Sequence, residues 1–275
     1  MTTHVQSTQA FPSLLDWEHP AHAGYNIRRS AYIASAIMVP GAFCVAWGLI
    51  LAGIIEPSPA DKYVSISLFI GYWAALFAFI DNRGEQRSWT AKWHEFLIVW
   101  LLTSGGAQLG WELPAVYMKV TYLYQLGAEL QPDQLVFWPW WLYAVADTRY
   151  MRPHEAQLAH EAMLSHSGFF QILAAYLLSK GKYYKTAVGI AVLANWGAFY
   201  GNTAVIYLGE ILVDYRNLED GAWGFWLKWV GLNLQWSVLS PAAAIGGMWL
   251  LVQRARAEAI SEYAAARAPE STTGG

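Results

Sequence analysis

The strongest constraint on this chain is a series of long apolar segments, separated by short clusters of charge, proline and glycine. A helix that crosses a bilayer needs about 20 mostly apolar residues. Segments of this kind run from about 31 to 55, 64 to 80, 93 to 118, 156 to 178, 186 to 213 and 225 to 252. Glu56-Pro57-Ser58-Pro59 ends the first, Asp81-Asn82-Arg83-Gly84 the second and Lys180-Gly181-Lys182 the fourth. The pattern predicts an all-α, polytopic membrane helix bundle of about six transmembrane helices. It forms one domain, 31–257, without internal repeats. A polar segment, 1–30, precedes it, and a flexible tail, 258–275, Ala-rich and then rich in Pro, Ser, Thr and Gly, follows.

Composition agrees. Of 275 residues, 56% are hydrophobic and 13% charged, against about 25% charged in a soluble domain. The 16 Trp and 16 Tyr suit membrane–water interfaces. A net charge of -3 and the lack of any Lys/Arg run argue against a nucleic-acid partner. The single cysteine, Cys44, allows neither an internal disulfide nor a cysteine metal site. Residues 1–27, with His19, Pro20 and His22, lack the apolar core of a cleaved leader, so cleavage is not expected.

Lys and Arg concentrate on cytoplasmic flanks of membrane helices. With the N-terminus inside, the inner side collects Arg28, Arg29, Arg83, Arg87, Lys92, Lys180, Lys182, Lys185, Arg254, Arg256 and Arg267. The outer side keeps Lys62, Lys119, Arg149, Arg152, Arg216 and Lys228. The bias predicts a multi-pass protein with both termini cytoplasmic. The connection from about 119 to 155 is long for an unstructured loop. Its Phe137-Trp138-Pro139-Trp140-Trp141 reads as an interfacial segment or lid at the outer headgroup level, beside a second belt of Trp223, Phe225, Trp226 and Trp229.

Polar side chains inside such helices are expensive and mark function. Gln108 and Glu112, four apart, project from one face, flanked by Trp111 and by Pro114, which frees the Gly110 carbonyl and favours a local kink. His160 and Glu161 are adjacent and about 100° apart, and Glu161 is the one expected to face inward. The fifth segment carries Asn195, Tyr200, Asn202 and Glu210; the sixth carries Asn233 and, three residues on, Trp236. Interhelical hydrogen bonding explains the asparagines as well as ligand contact does. His94 and Glu95 read as interface anchors. No H-E-x-x-H, paired histidine, phosphate loop, G-x-G-x-x-G or G-x-S-x-G is present, so no metal and no cofactor are expected.

Asp147-Thr148-Arg149-Tyr150 followed by Glu161 resembles the D-S-R-Y…E pattern of the emopamil-binding protein family, the EXPERA domain shared with the sigma-2 receptor. Gln108-Leu109-Gly110-Trp111-Glu112 is similar to the family's H-x-x-x-E helix, with Gln in place of His. Tyr200-Gly201-Asn202 is similar to its Y-G-D, and Phe225-Trp226 with Asn233 and Trp236 to its F-W…N-x-x-W. The resemblance covers 108 to 241 and implies a five-helix core, about 90–255, plus one extra helix, around a sterol-sized cavity. It also implies Δ8–Δ7 sterol isomerase chemistry. Glu161 would handle the proton, with Glu112 and Asn233 orienting it or steadying the cation. Trp236 would lie over the cation, with Gln108, Trp111, Tyr200, Asn202 and His160 lining the substrate site. Asp147 and Arg149 would form a structural pair at its mouth. An amide does not titrate near neutrality, so Gln108 departs from the family histidine. Either Glu112 and Glu161 divide the acid and base roles, or His160 or His166 substitutes, or the reaction differs.

The residues alone allow the same chemistry. Two carboxyls in a dry site can be pushed apart in proton affinity, giving one acid and one base. An aromatic-walled hollow would hold a carbocation and keep water from trapping it. The expectation is an intramembrane isomerase for a lipophilic sterol- or terpenoid-like substrate, among membrane lipids. A terpene cyclase or epoxide isomerase and a non-catalytic sterol or lipid binder are the alternatives. A homodimer is compatible with the sequence. No inverted repeat or charged series supports a transporter.

Overall fold

The computed structural model describes residues 26–267, apart from 126, 128–130, 132, 145, 151, 182, 219 and 220. The expected polar segment up to residue 25, the end of the tail from 268 and Lys182 lie outside the described residues.

Among the described residues the fold is all-helical, without strands. Helix α1 spans Ile27–Leu51 and is capped by Asn26, whose side chain accepts from the Arg29 N–H. α2, Pro57–Tyr72, starts on the prolines that end α1, because a proline at the first turn has no N–H to leave unpaired. It tightens into a 3₁₀ segment, Trp73–Phe79. α3, Trp89–Ala107, is capped by Ser88 and runs unbroken through a π-turn, Gln108–Glu112, into α4, Leu113–Met118, and a second π-turn, Lys119–Tyr124. The kink expected at Pro114 takes the form of that first π-turn. Pro114 cannot donate, and the Leu113 N–H reaches back to the Gln108 carbonyl.

The long connection holds α5, Trp138–Ala144, and a 3₁₀ turn, Thr148–Tyr150. Instead of lying flat at the periphery, Trp138 and Trp141 are buried. Phe43 of α1 meets Trp138 and Trp111 with ring centroids 5.8 and 5.1 Å away. α6 spans Glu155–Ser179 and ends at Gly181, whose left-handed φ of 62° suits glycine. α7, Tyr184–Gly201, continues through a π-turn, Asn202–Leu208, into the short α8, Gly209–Ile211. A π-segment, Trp223–Gly231, leads into α9, Leu232–Arg267. The Ala-rich stretch from 258 to 267 therefore belongs to α9, in keeping with alanine's helix propensity, and is not a tail.

Among the described residues these elements make six helical rods, whose buried ion pairs gather at two poles. At the first pole, Arg28 of α1 pairs with Glu85 of the α2–α3 connection and Glu95 of α3, and Arg87 joins Glu95 and Asp81. At the second, Lys228 pairs with Asp61 at 2.6 Å, and Arg149 pairs with Glu210 at 3.1 Å. Lys119, Arg149 and Lys228, which the charge pattern assigned to the outer side, are all buried. The anchoring expected of Glu95 takes the form of this ion-pair network. α6 packs on α3 and α7, and α7 on α9. Among the described residues four helical stretches are long and apolar enough to cross a membrane: Ile27–Leu51, Ala60–Phe79, Glu155–Ser179 and Trp223–Arg267.

Candidate functional site

The interior polar residues fall into two connected groups. The first is a hydrogen-bonded ladder across the bundle. On α3, Trp100, Ser104 and Gln108 recur every four residues and share one face. Ser104 Oγ accepts from Trp236 Nε1 of α9 at 3.2 Å and from Gln108 Nε2 at 3.3 Å. Gln171 Nε2 of α6 donates to Gln108 Oε1 at 3.4 Å and to Ser167 Oγ at 3.0 Å. Ser167 Oγ donates to the Ala194 carbonyl of α7. Trp100 Nε1 donates to Asn195 Oδ1 at 2.8 Å. Glycine makes the α3–α6 approach close: a Cβ on Gly168 would lie 2.7 Å from Gln108 Cβ.

The second group sits between this ladder and the second pole. Glu161 is fully buried, accepts from Gln157 Nε2 one turn earlier through Oε1, and its Oε2 has no hydrogen-bond partner among the described residues. Gln157 also hydrogen-bonds Tyr150. Glu161 and Gly168 are seven apart, so Glu161 lies on the α6 face that meets α3. Glu112 is half-buried, but its Oε2 is fully enclosed and unpartnered. It lies within electrostatic reach of Lys119, Tyr72, Tyr143 and Tyr150. Tyr72 packs edge-on against Trp236, centroids 5.1 Å apart, and so joins the two groups. Trp111 packs on Tyr143 at 5.2 Å, and Tyr143 on Tyr150 at 5.6 Å. Burial first, then the charges of Glu112 and Asp147, holds the Tyr150 phenol well above its ordinary range.

The structure separates the remaining expected residues. His160 is buried but turns toward α7, its Cδ2 3.3 Å from where a Cβ on Gly201 would stand, and neither ring nitrogen has a hydrogen-bond partner among the described residues. Asn202 donates to the Asn233 carbonyl at 3.2 Å and to Ser237 Oγ at 3.0 Å, tying α7 to α9. Asn233 spends its own side-chain donor on the Trp229 carbonyl at 2.8 Å, one turn back. Tyr200 is 64% exposed and stacks on Trp196, so it faces outward and does not line the interior. At adjacent helix positions His160 and Glu161, and at Tyr200 and Asn202, a single pattern in sequence serves two different faces.

Asp147 and Arg149 form the expected pair. Arg149 Nε reaches Asp147 Oδ1 at 2.9 Å and Nη2 reaches Oδ2 at 2.5 Å, while Nη1 donates to the Val205 carbonyl at 2.8 Å. Glu210 meets Arg149 and also accepts from Asn217 Nδ2 at 2.8 Å. His154 caps α6 by accepting from the Gln157 N–H. Burial first, then the Arg149 and Lys119 cations, holds its imidazole below the ordinary value.

Neither a scan against known protein families nor a search of curated proteins finds a match. Several members of the site escape a sequence reading. Gln157 repeats the four-residue spacing seen at Gln108 and Glu112, and Lys119 stands two turns beyond Glu112, so helical periodicity could have found both. Tyr72, Tyr143 and Asn217 come from other elements, and no local pattern marks them. No cluster of His, Cys, Asp or Glu that could hold a metal is found among the described residues.

Proposed function

We propose that this chain is an intramembrane isomerase that shifts a double bond in a lipophilic sterol- or terpenoid-like substrate by protonation and deprotonation. In this reading all six rods cross the bilayer and both termini face the cytoplasm, so that α3–α4 and α7–α8 are spans although π-turns interrupt them. The observation that carries the proposal is the pair Glu112 and Glu161. Each holds one enclosed carboxyl oxygen without a hydrogen-bond partner among the described residues; Tyr72, Tyr143 and Tyr150 surround Glu112, and Tyr72 packs on Trp236. Native structures rarely leave such atoms without a purpose.

The step balances. One carboxyl O–H breaks as a C–H bond forms at an alkene carbon, leaving a tertiary cation beside it. The other carboxylate takes a proton from a neighbouring carbon, and that C–H electron pair becomes the new double bond. The Trp236 face supplies a quadrupole for the cation, and its ring is held in place by Ser104. Because Gln108 carries no proton to move, the two carboxyls divide the acid and base roles.

A second reading, cyclase or epoxide isomerase, starts from the same protonation. It is favoured by Gln108, a non-titrating amide locked between Ser104 and Gln171, where the family it resembles has histidine. The test is product analysis with Δ8-unsaturated sterols and cyclic terpenoid alkenes and epoxides. The proposal expects a shifted double bond on an unchanged skeleton, and Glu161→Gln that binds lipid without turnover. A rearranged skeleton selects the second reading. Unchanged turnover in Glu161→Gln removes both.

A further inference from the structure

α6 begins where His154 Nδ1 accepts from the Gln157 N–H at 3.2 Å, which fixes the Gln157 backbone in the first turn of the helix. One turn on, the Gln157 side chain reaches Glu161: Nε2 donates to Glu161 Oε1 at 2.5 Å, and both residues are fully buried. Among the described residues this is the one hydrogen bond to the Glu161 carboxyl, and Oε2 stays bare. A carboxyl turns about its terminal torsion between two broad, nearly equivalent settings. The bond from Gln157 removes that freedom, committing Oε1 and leaving Oε2 as the open oxygen. A neutral amide suits this task. It donates to a carboxylate and to a carboxylic acid alike, whereas a lysine or arginine in its place would favour the ionised form.

From this geometry we infer that Gln157 is a positioning residue: it pins Glu161 Oε1 and thereby makes Oε2 the oxygen that trades a proton with the hydrocarbon. In the acid role, the O–H bond at Oε2 breaks as a C–H bond forms at the alkene carbon. In the base role, Oε2 takes the proton and that C–H electron pair becomes the new double bond. Oε1 keeps its amide partner through both. A glutamine that only stapled the first turns of α6 would add stability and leave the turnover of the folded protein unchanged. The proton-transfer part of the inference rests on the isomerase proposal; the orientation of the carboxyl does not.

The test has two readouts. Infrared spectra of the full chain in detergent micelles, recorded across pH, report the C=O stretch of protonated carboxyls, and the difference between the wild type and Glu161→Gln isolates the Glu161 band. In Gln157→Met, which keeps the length of the side chain and loses the N–H donor, that band moves to higher frequency. Turnover of a Δ8-unsaturated sterol by the same variant falls about a hundredfold in kcat, the scale of an angstrom-sized misplacement, with KM little changed. If Gln157→Met does not accumulate, Gln157→Asn, which keeps the amide on a stem too short to reach Glu161, serves the same comparison. An unshifted band overturns the inference, and so does a shifted band with unchanged kcat. A band that shifts in a protein whose wild type isomerises no alkene removes the isomerase proposal and leaves Gln157 as the group that orients Glu161.

Discussion

The Arg149 guanidinium grips Asp147, two residues upstream, through Nε at 2.9 Å and Nη2 at 2.5 Å, while its Nη1 spans to the Val205 carbonyl and Glu210 of another rod. This buried group ties the long connection to the end of α7–α8, and Lys119 joins it through the Arg149 carbonyl. A planar fork makes all these contacts at once, and an ammonium cannot. Arg149→Lys and Asp147→Asn should each cost about 3–5 kcal/mol, the usual range for breaking a buried pair. Thermal denaturation in detergent, followed by size-exclusion chromatography, measures it. Wild-type stability in both variants would contradict the assignment.

Gly168 lets α6 approach α3. A Cβ there would stand 2.7 Å from Gln108 Cβ and 3.1 Å from the Gly105 carbonyl oxygen. Part of that contact is backbone, which cannot turn aside. Gly168→Ala should therefore destabilise by about 1–3 kcal/mol, as overpacking does. Gly110→Ala, where a Cβ meets nothing within 4 Å, is the control and should be near neutral.

Gln108 holds the ladder together, accepting from Gln171 and donating to Ser104. Gln108→Leu leaves the buried amide of Gln171 short of an acceptor and should cost about 1–3 kcal/mol. Gln108→Glu puts a carboxyl on the same atoms. If protonated it can still donate to Ser104, and stability should fall less than in Gln108→Leu. Equal losses in the two variants would show that the ladder does not matter.

The first pole predicts an acid limit to stability. Burial pushes the Glu85 carboxyl up, but the hydrogen bond and charge of Arg28, with the Asn82 N–H and the Arg87 charge, together hold the group below its ordinary value. Asp81 behaves likewise: burial is again the largest single influence, and the hydrogen bonds and charges of Lys92 and Arg87 together outweigh it. A carboxyl with depressed proton affinity in the folded state contributes stability above its unfolded value, near pH 4, and loses it as pH falls through the folded value. The melting temperature should be flat near neutrality and drop below about pH 4. In Glu85→Gln the drop should be shallower, and an identical acid profile would contradict the reading.

Helix positions were legible in the sequence because apolar length and breakers are local properties. The segment read as 156 to 178 appears as Glu155–Ser179, and that read as 186 to 213 as Tyr184–Gly201 with its continuation to Ile211. What escaped was set by tertiary contact. Pro57 was read as a stop for α1, but it is also the first residue of α2. Lys228 looked like a flank charge because a sequence shows a cation's neighbours in the chain and not Asp61, which pairs with it in the fold. In the candidate site, Gln108, Glu112 and Glu161 were singled out by their cost inside apolar helices and Trp236 by its place three residues from Asn233. Tyr72, Tyr143 and Gln157 were not, since a tyrosine or glutamine in such a chain has many ordinary reasons to be there. Tyr200 was misplaced because its neighbour Asn202, two residues on, takes the inward face.

The central claim is that a buried carboxyl protonates a hydrocarbon and a second removes a proton. Turnover of a Δ8-unsaturated sterol in deuterated water, read by mass spectrometry, tests it most directly. The account predicts a double-bond isomer carrying one solvent-derived deuterium from the wild type and no such product from Glu161→Gln. Deuterated isomer formed by Glu161→Gln at the wild-type rate would contradict it.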